Sequence, residues 1–199
     1  MDDTLVIVFC KNSLIGKVKT RLAKSIGGLN ALKIHDLLVS KTISVLKQIE
    51  NDVVVFHSDF IPNDNKWSFT KFQKIQNGKD LGVRMKKAFE WGFEVGYQKI
   101  CIIGTDLWTV EKKIFRETFI ALKKIDIVFG PAKDGGYYLL GLKKINYSIF
   151  NLNSWGTSKV LDDTVKKIDN TETVCYLQEL NDIDTEEDLN LHNDLKSLI

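Results

Sequence analysis

The stretch Thr4–Leu22, TLVIVFCKNSLIGKVKTRL, is an unbroken apolar, β-branched run followed by a cation-rich loop that carries one glycine. Thr4–Cys10 lacks the alternation of a strand with one wet face. It therefore predicts a strand covered on both sides, as in a parallel sheet. Asp52–Ser58 (DVVVFHS), Lys99–Thr105 (KICIIGT) and Asp126–Pro131 (DIVFGP) have the same character. Tyr137–Leu142 and Thr173–Gln178 add two more strands, and the alternating Lys71–Gln76 carries the faintest strand pattern. Between them lie helical patterns over Asn30–Glu50, Leu81–Val95, Glu111–Lys124, Ser158–Ile168 and Thr185–Leu198. The last opens with Thr185 and Asp188, an Asp form of the capping box. Strands alternating with helices predict an α/β fold, a three-layer α/β/α sandwich around a mostly parallel sheet. Such sheets bind ligands outside the carboxyl ends of their strands, so the loops that follow strands are where chemistry is to be sought.

The chain of 199 residues is expected to form a single domain over 1–199. A hydrophobic share of 44% with 27% charged residues excludes disordered, collagenous and coiled-coil classes. No apolar run reaches the roughly 18–20 residues of a membrane span. The N-terminus starts acidic, and its apolar run closes on Cys10 and Lys11 without a small-residue cleavage site, unlike a signal peptide. Cys10, Cys101 and Cys175 lie far apart in apolar runs and read as buried, reduced core residues, which suits a cytoplasmic protein. His35, His57 and His192 show no zinc spacing. A net charge of +2 is too small to imply nucleic-acid or membrane binding, so any affinity for anions must be local. Against 25 lysines there are three arginines, Arg21, Arg84 and Arg116, which suggests arginine is kept for sites that need a planar fork.

Six segments could carry chemistry. Phe9–Leu22 groups Lys11, Lys17, Lys19 and Arg21 around Gly16, without the glycine pattern of a Walker or dinucleotide loop. Gly lets a backbone approach phosphate, Lys supplies point charge and Arg a fork. The plain alternative is a solvated basic turn, although cations at a helix start oppose its dipole. Gln76–Met85 (QNGKDLGVRM) is either part of a pocket or a turn leading into a helix with Arg84 solvated. Ile103–Asp106 (IGTD) puts a carboxylate at a strand tip, where a Mg²⁺ held partly by substrate phosphates would sit; the alternative is a helix cap. Gly130–Leu142 (GPAKDGGYYLLGL) reads as a hairpin tip, or as an acceptor-binding turn with Asp134 positioned beside Gly135 and Gly136. Trp155 in WGTSKVL either stacks on a ligand or fills the core. In Asp182–Leu189 (DIDTEEDL), Asp184 either favours a helix start or joins Asp106 across one cation.

In order, these segments resemble an uncharacterised bacterial family of glycosyltransferase-like proteins in the nucleotide-diphospho-sugar transferase superfamily. That family's pattern runs approximately F-A-K-x-P-x-P-G-x-V-K-T-R-L, Q-x-G-D-L-G-x-R-M, G-T-D-x-P, G-P-A-x-D-G-G-Y-Y-L-x-G-L, W-G-T-x-x-V-L and D-x-D-T-P-E-D-L. The likeness spans Phe9 to Leu189. Ser13, Ile15, Trp108 and Glu186 stand where the pattern has proline, while the cations, glycines and carboxylates are retained. The resemblance implies a GT-A-like, Rossmann-like fold and a transferase that depends on Mg²⁺ or Mn²⁺. Its substrates would be a nucleoside triphosphate or nucleotide sugar and a small-molecule acceptor. Asp106 and Asp184 would hold the metal. Lys11, Gly16, Lys19, Arg21, Gln76 and Arg84 would bind the nucleotide, with Lys19, Arg21 and Asp134 catalytic. Gly135, Gly136, Tyr137 and Trp155 would shape the acceptor site. Nucleotidyl and glycosyl transfer both remain open, and a non-catalytic nucleotide-binding module is the alternative to either. Asp59–Ser68 and Tyr147–Trp155 would serve the acceptor site or a homodimer contact.

Overall fold

The computed structural model describes residues 3–199. Seven strands form one sheet: β1 (Thr4–Cys10), β2 (Asp52–His57), β3 (Phe72–Ile75), β4 (Lys99–Ile103), β5 (Ile127–Pro131), β6 (Tyr137–Leu142) and β7 (Val174–Tyr176). Their order is β3-β2-β1-β4-β6-β5-β7. β1 lies between parallel β2 and β4, and Leu5, Val6, Ile7 and Val8 are fully buried, as a run without alternation requires. β6 runs antiparallel to both β4 and β5, which makes the sheet mixed.

Helices cover both faces: α1 (Thr20–Ile26), α2 (Gly28–Leu46), α3 (Leu81–Glu94), α4 (Lys112–Ala121), α5 (Val160–Val165), α6 (Glu186–Asn190) and α7 (Asn193–Lys196). Successive β1 residues point to opposite faces. Val6, Val8 and Cys10 pack with Val39 and Leu46 of α2 and Phe115 of α4. Leu5 and Ile7 pack with Met85 and Phe89 of α3. Burying each such side chain contributes about 1.5–3 kcal/mol, so both layers are held to the sheet by apolar contact. A third cluster joins Leu22, Ile34 and Leu38 to Ile183, Leu189 and Leu195, and so fastens the first helices to the last segment.

Some elements depart from the sequence expectation. The cation-rich segment ends in a helix of its own, α1, and the following helix spans Gly28–Leu46 rather than Asn30–Glu50. Thr185–Leu198 is two short helices, not one. Leu189 and Leu195 both enter the third cluster, and six residues is not a helical repeat, so the chain must turn between them. β7 is shorter than Thr173–Gln178, and at this edge strand Cys175 is only half-buried, unlike Cys10 and Cys101.

The chain leaves β1 toward β2 and β3, then crosses back to β4 on the other side of β1. The order therefore reverses between β1 and β4, and the loops at their carboxyl ends flank a crevice. Because β6 is antiparallel to β4, its starting residue Tyr137 lies at that same edge.

Candidate active site

The loop after β1 is fixed from its start. Asn12 is buried, and its Oδ1 accepts from the Asp59 amide at 2.9 Å and from Ser58 Oγ at 3.1 Å. Its Nδ2 donates to the Phe60 carbonyl at 2.9 Å, tying the loop to the one after β2. His35 of α2 pairs through Nε2 with the Lys11 carbonyl at 3.1 Å. At the far end Lys19 adopts φ 47°, and among the described residues it is the one non-glycine residue with a positive φ. A left-handed backbone costs such a residue about 1–2 kcal/mol, so its placement must be enforced by its surroundings.

The enforcing partners are two carboxylates. The Lys19 ammonium bonds to Asp106 Oδ1 and, at 3.0 Å, to Asp184 Oδ1. Arg21 Nη2 reaches the other oxygen of Asp184 at 2.5 Å. Asp106 follows β4. Its carbonyl accepts from the Ile183 amide at 2.9 Å, and Leu107 pairs with Asp182, which brings the late acidic segment alongside. Asp106 is not a helix cap, since Glu111 holds that position for α4. Thr185 and Asp188 close a capping box on α6, and Asp188 Oδ2 also accepts from the Asp184 amide at 3.1 Å. Asp184 is thus aimed by the cap.

The electrostatics follow from these contacts. Burial works against the charge of Lys19, but Asp106 and Asp184 outweigh it and raise its pKa. Burial likewise opposes the charge of Asp184, yet Lys19 and Arg21 hold it below the ordinary carboxylate range. Asp182 is different. Burial first, then the charge of Asp106, pushes its pKa up to about 8, and its Oδ1 has no hydrogen-bond partner.

These groups open onto a cavity of about 550 Å³ lined by Lys11, Arg21, Gln76, Asp106, Asp134, Gly136, Tyr137, Trp155 and Asp184, among others. Asp134 Oδ1 accepts from the Gly136 amide at 2.9 Å within the hairpin tip between β5 and β6. Gly135, at φ 88°, lies against the Ser158 carbonyl with no room for a Cβ, and its own carbonyl accepts from the Leu161 amide at 3.0 Å. The tip is thereby docked on the loop that carries Trp155. Trp155 in turn packs on Gly82 at the start of α3, where a Cβ would lie 2.6 Å from Nε1.

Four expected site residues lie outside the lining. Arg84 Nε donates to the Gly78 carbonyl at 3.0 Å and so braces the turn before α3. Gly16 is on the exposed side of its loop, and Gly135 is consumed by its contact with Ser158. Lys19 lies beneath the lining, its side chain 3% exposed. Asp59–Ser68 contributes nothing to the cavity wall, and of Tyr147–Trp155 only Trp155 does. Lining residues that were not among the expected site residues include His35, Thr105, Tyr138, Thr157, Ser158 and Asp182. Asp182 had a visible signal in its D-x-D spacing, and His35 had one as a polar residue on the apolar face of α2.

Two aspartates that share one cationic partner offer the oxygen pair a hard divalent ion takes, with phosphate oxygens and water completing its shell, so the donor set fits Mg²⁺. Among the described residues, no group of three or more His, Cys, Asp or Glu side chains is arranged to hold a metal. No helix among them is long and apolar enough to cross a membrane.

Known proteins are similar to this chain in sequence and in fold. Residues 42–157, more than half of the chain, match the family described as "uncharacterized protein conserved in bacteria (DUF2064)". A crystal structure from Desulfovibrio desulfuricans G20, provisionally assigned as a nucleotide-diphospho-sugar transferase, is 30% identical, with a TM-score of 0.88 over 96% of this chain and 86% of that one. A 2-phospho-L-lactate guanylyltransferase from Methanocaldococcus jannaschii is 27% identical over 161 residues, covering 78% of this chain and 67% of the relative. The 4-diphosphocytidyl-2C-methyl-D-erythritol synthase of Anaerococcus prevotii shares the fold, with a TM-score of 0.64 over 98% of this chain and 96% of that one at 12% identity. The chain belongs to the DUF2064 family and has the α/β fold of the nucleotide-diphospho-sugar transferase superfamily.

Proposed function

We propose that this member of the family is a nucleotidyltransferase that joins a nucleoside monophosphate unit from a nucleoside triphosphate to a small, phosphorylated acceptor. The guanylyltransferase relative supports that reaction class. The observation that carries it is the convergence, at the switch-point edge of the sheet, of the cations after β1 with carboxylates from two other loops around one cavity. Nucleotidyl transfer demands positioning and neutralisation of charge more than covalent chemistry, and this edge supplies both signs.

In this reading an acceptor oxygen attacks the α-phosphorus and pyrophosphate leaves. Lys11, Lys19 and Arg21 neutralise the phosphates and the departing pyrophosphate, with the Arg21 fork, 61% exposed, free to turn toward non-bridging oxygens. Asp106 and Asp184 would hold Mg²⁺, which supplies Lewis-acid polarisation of phosphate oxygens when bound. Asp134 has one oxygen fixed by Gly136 and orients the acceptor with the other. Tyr137 and Trp155 form the apolar wall against which the acceptor lies. The Desulfovibrio relative favours a second reading, transfer of a sugar from a nucleotide sugar in the same cavity.

Titrating nucleoside triphosphates and nucleotide sugars with and without Mg²⁺ tests the proposal. Metal-dependent binding of a triphosphate, lost in Asp106→Ala, supports it. Preference for nucleotide sugars moves the assignment to the second reading, and metal-independent binding untouched by Asp106→Ala makes the chain a non-catalytic module.

A further inference from the structure

The functional reading gives Lys19 to the phosphates and gives Asp106 with Asp184 to a divalent cation, and the two assignments meet at one point in space. The Lys19 ammonium bonds to an oxygen of each aspartate, so it stands where a cation shared by both would stand. Both aspartates line the cavity and Lys19 does not. Its charge is taken up by the two carboxylates, which stand between it and the cavity lining. Its position is also imposed. The backbone there is left-handed, and the residue caps α1, whose first turn has no acidic residue and whose dipole disfavours a cation. Two adjacent carboxylates left without a cation would repel one another, and the buried ammonium between them prevents that.

We propose that Lys19 is a tethered occupant of the divalent-cation position, displaced from Asp106 and Asp184 when the metal binds and thereby released to the phosphates. The inference rests on the functional reading and adds an order to it. A divalent ion arriving alone must evict a buried ammonium that then has no anion to face. Arriving with a triphosphate, it gives that ammonium one. Metal and triphosphate therefore tighten each other's binding by the same factor. Arg21 bonds to the other oxygen of Asp184, so the exchange at the oxygen shared with Lys19 does not itself break that pair.

The test uses metal-free protein and Mn²⁺ alone, followed by calorimetry, for wild type and Lys19→Met. Mn²⁺ is expected to bind the variant at least about tenfold more tightly, because no ammonium has to be moved. The melting temperature of the variant, lowered in EDTA by unpaired carboxylates, is expected to rise more with Mg²⁺ than that of wild type. Equal or weaker Mn²⁺ binding in the variant overturns the inference. If that binding is nevertheless lost in Asp106→Asn, the metal site itself stands. Absence of Mn²⁺ binding to both proteins overturns the inference and the metal reading together. Should Lys19→Met not fold in EDTA, wild type labelled with ¹³C at lysine Cε carries the test. The Lys19 signal, identified by its loss in Lys19→Arg, is expected to shift when Mg²⁺ binds, and an unmoved signal at saturating Mg²⁺ contradicts the displacement.

Discussion

The Lys19 ammonium lies 3.0 Å from the Asp184 carboxylate although 165 residues separate the two in the chain. With Asp106 on its other side, the lysine joins the loop after β1, the loop after β4 and the segment before α6. Apolar packing of Leu22 and Ile34 against Ile183 and Leu189 holds the same segments together from behind. The ion pairs therefore sit on a scaffold that apolar burial has already closed.

Replacing Asp184 by Asn separates these contributions. Lys19 is 3% exposed and would keep one carboxylate of two, while Arg21 would lose its partner. Truncating one side of a buried pair leaves an uncompensated charge, here softened by Asp106, so a loss of about 1–3 kcal/mol is expected. Urea unfolding should show a lower midpoint at unchanged slope.

Arg21→Met should behave in the opposite way. The side chain is 61% exposed, so its ion pair with Asp184 adds little to folding, about 0–1 kcal/mol. A charge-assisted bond to phosphate contributes about 1.5–3 kcal/mol, which predicts roughly 10–150-fold weaker triphosphate binding with an almost unchanged melting temperature. A large fall in stability with affinity retained would place this residue in the scaffold instead.

Gly82→Ala decides between two opposed effects. Alanine in a helix gains about 1 kcal/mol over glycine. The new Cβ, however, would meet the Phe150 carbonyl and lie 2.6 Å from Trp155 Nε1. Overpacking costs about 1–3 kcal/mol, and since backbone is one of the obstacles, destabilisation should win. Thermal unfolding should show a lower midpoint, with a displaced Trp155 changing the intrinsic fluorescence.

Asp126 sets part of the acid limit. Hydrogen bonds from the Thr173 hydroxyl and amide, with Lys143 beside it, hold its pKa at about 2. Because the folded value lies below the unfolded one near 3.9, its contribution is complete above that value and is lost as pH falls toward 2. Asp126→Asn should flatten the stability curve between about pH 4 and pH 2, and cost about 0.5–1 kcal/mol at neutral pH after solvent screening. Unfolding curves measured at several pH values would show whether the slope changes.

The sheet was largely legible because Thr4–Cys10, Asp52–Ser58 and Lys99–Thr105 lack alternation, and only strands buried on both faces read that way. The hairpin of β5 and β6 carried its own turn signal in Asp134, Gly135 and Gly136. The ion-pair geometry was not legible. Nothing local in Lys19 indicates which carboxylate will take its charge, since Asp106 is 87 residues away and Asp184 is 165. Arg84 shows the converse limit. It lies eight residues from Gln76 in a ligand-like segment, but an unsatisfied carbonyl at Gly78 claimed its guanidinium. His35 stood out as a polar residue on the apolar face of α2, but a helix pattern is silent on which distant loop such a residue will bond.

Pyrophosphate release is the most direct measurement of the central claim. Wild type and Asp106→Ala would be incubated with each common nucleoside triphosphate, Mg²⁺ and a panel of small phosphorylated acceptors. The account predicts release with at least one triphosphate, dependent on both Mg²⁺ and acceptor, and reduced at least about 100-fold in Asp106→Ala. Release undiminished by that substitution, or nucleoside diphosphate released from a nucleotide sugar in its place, would contradict it.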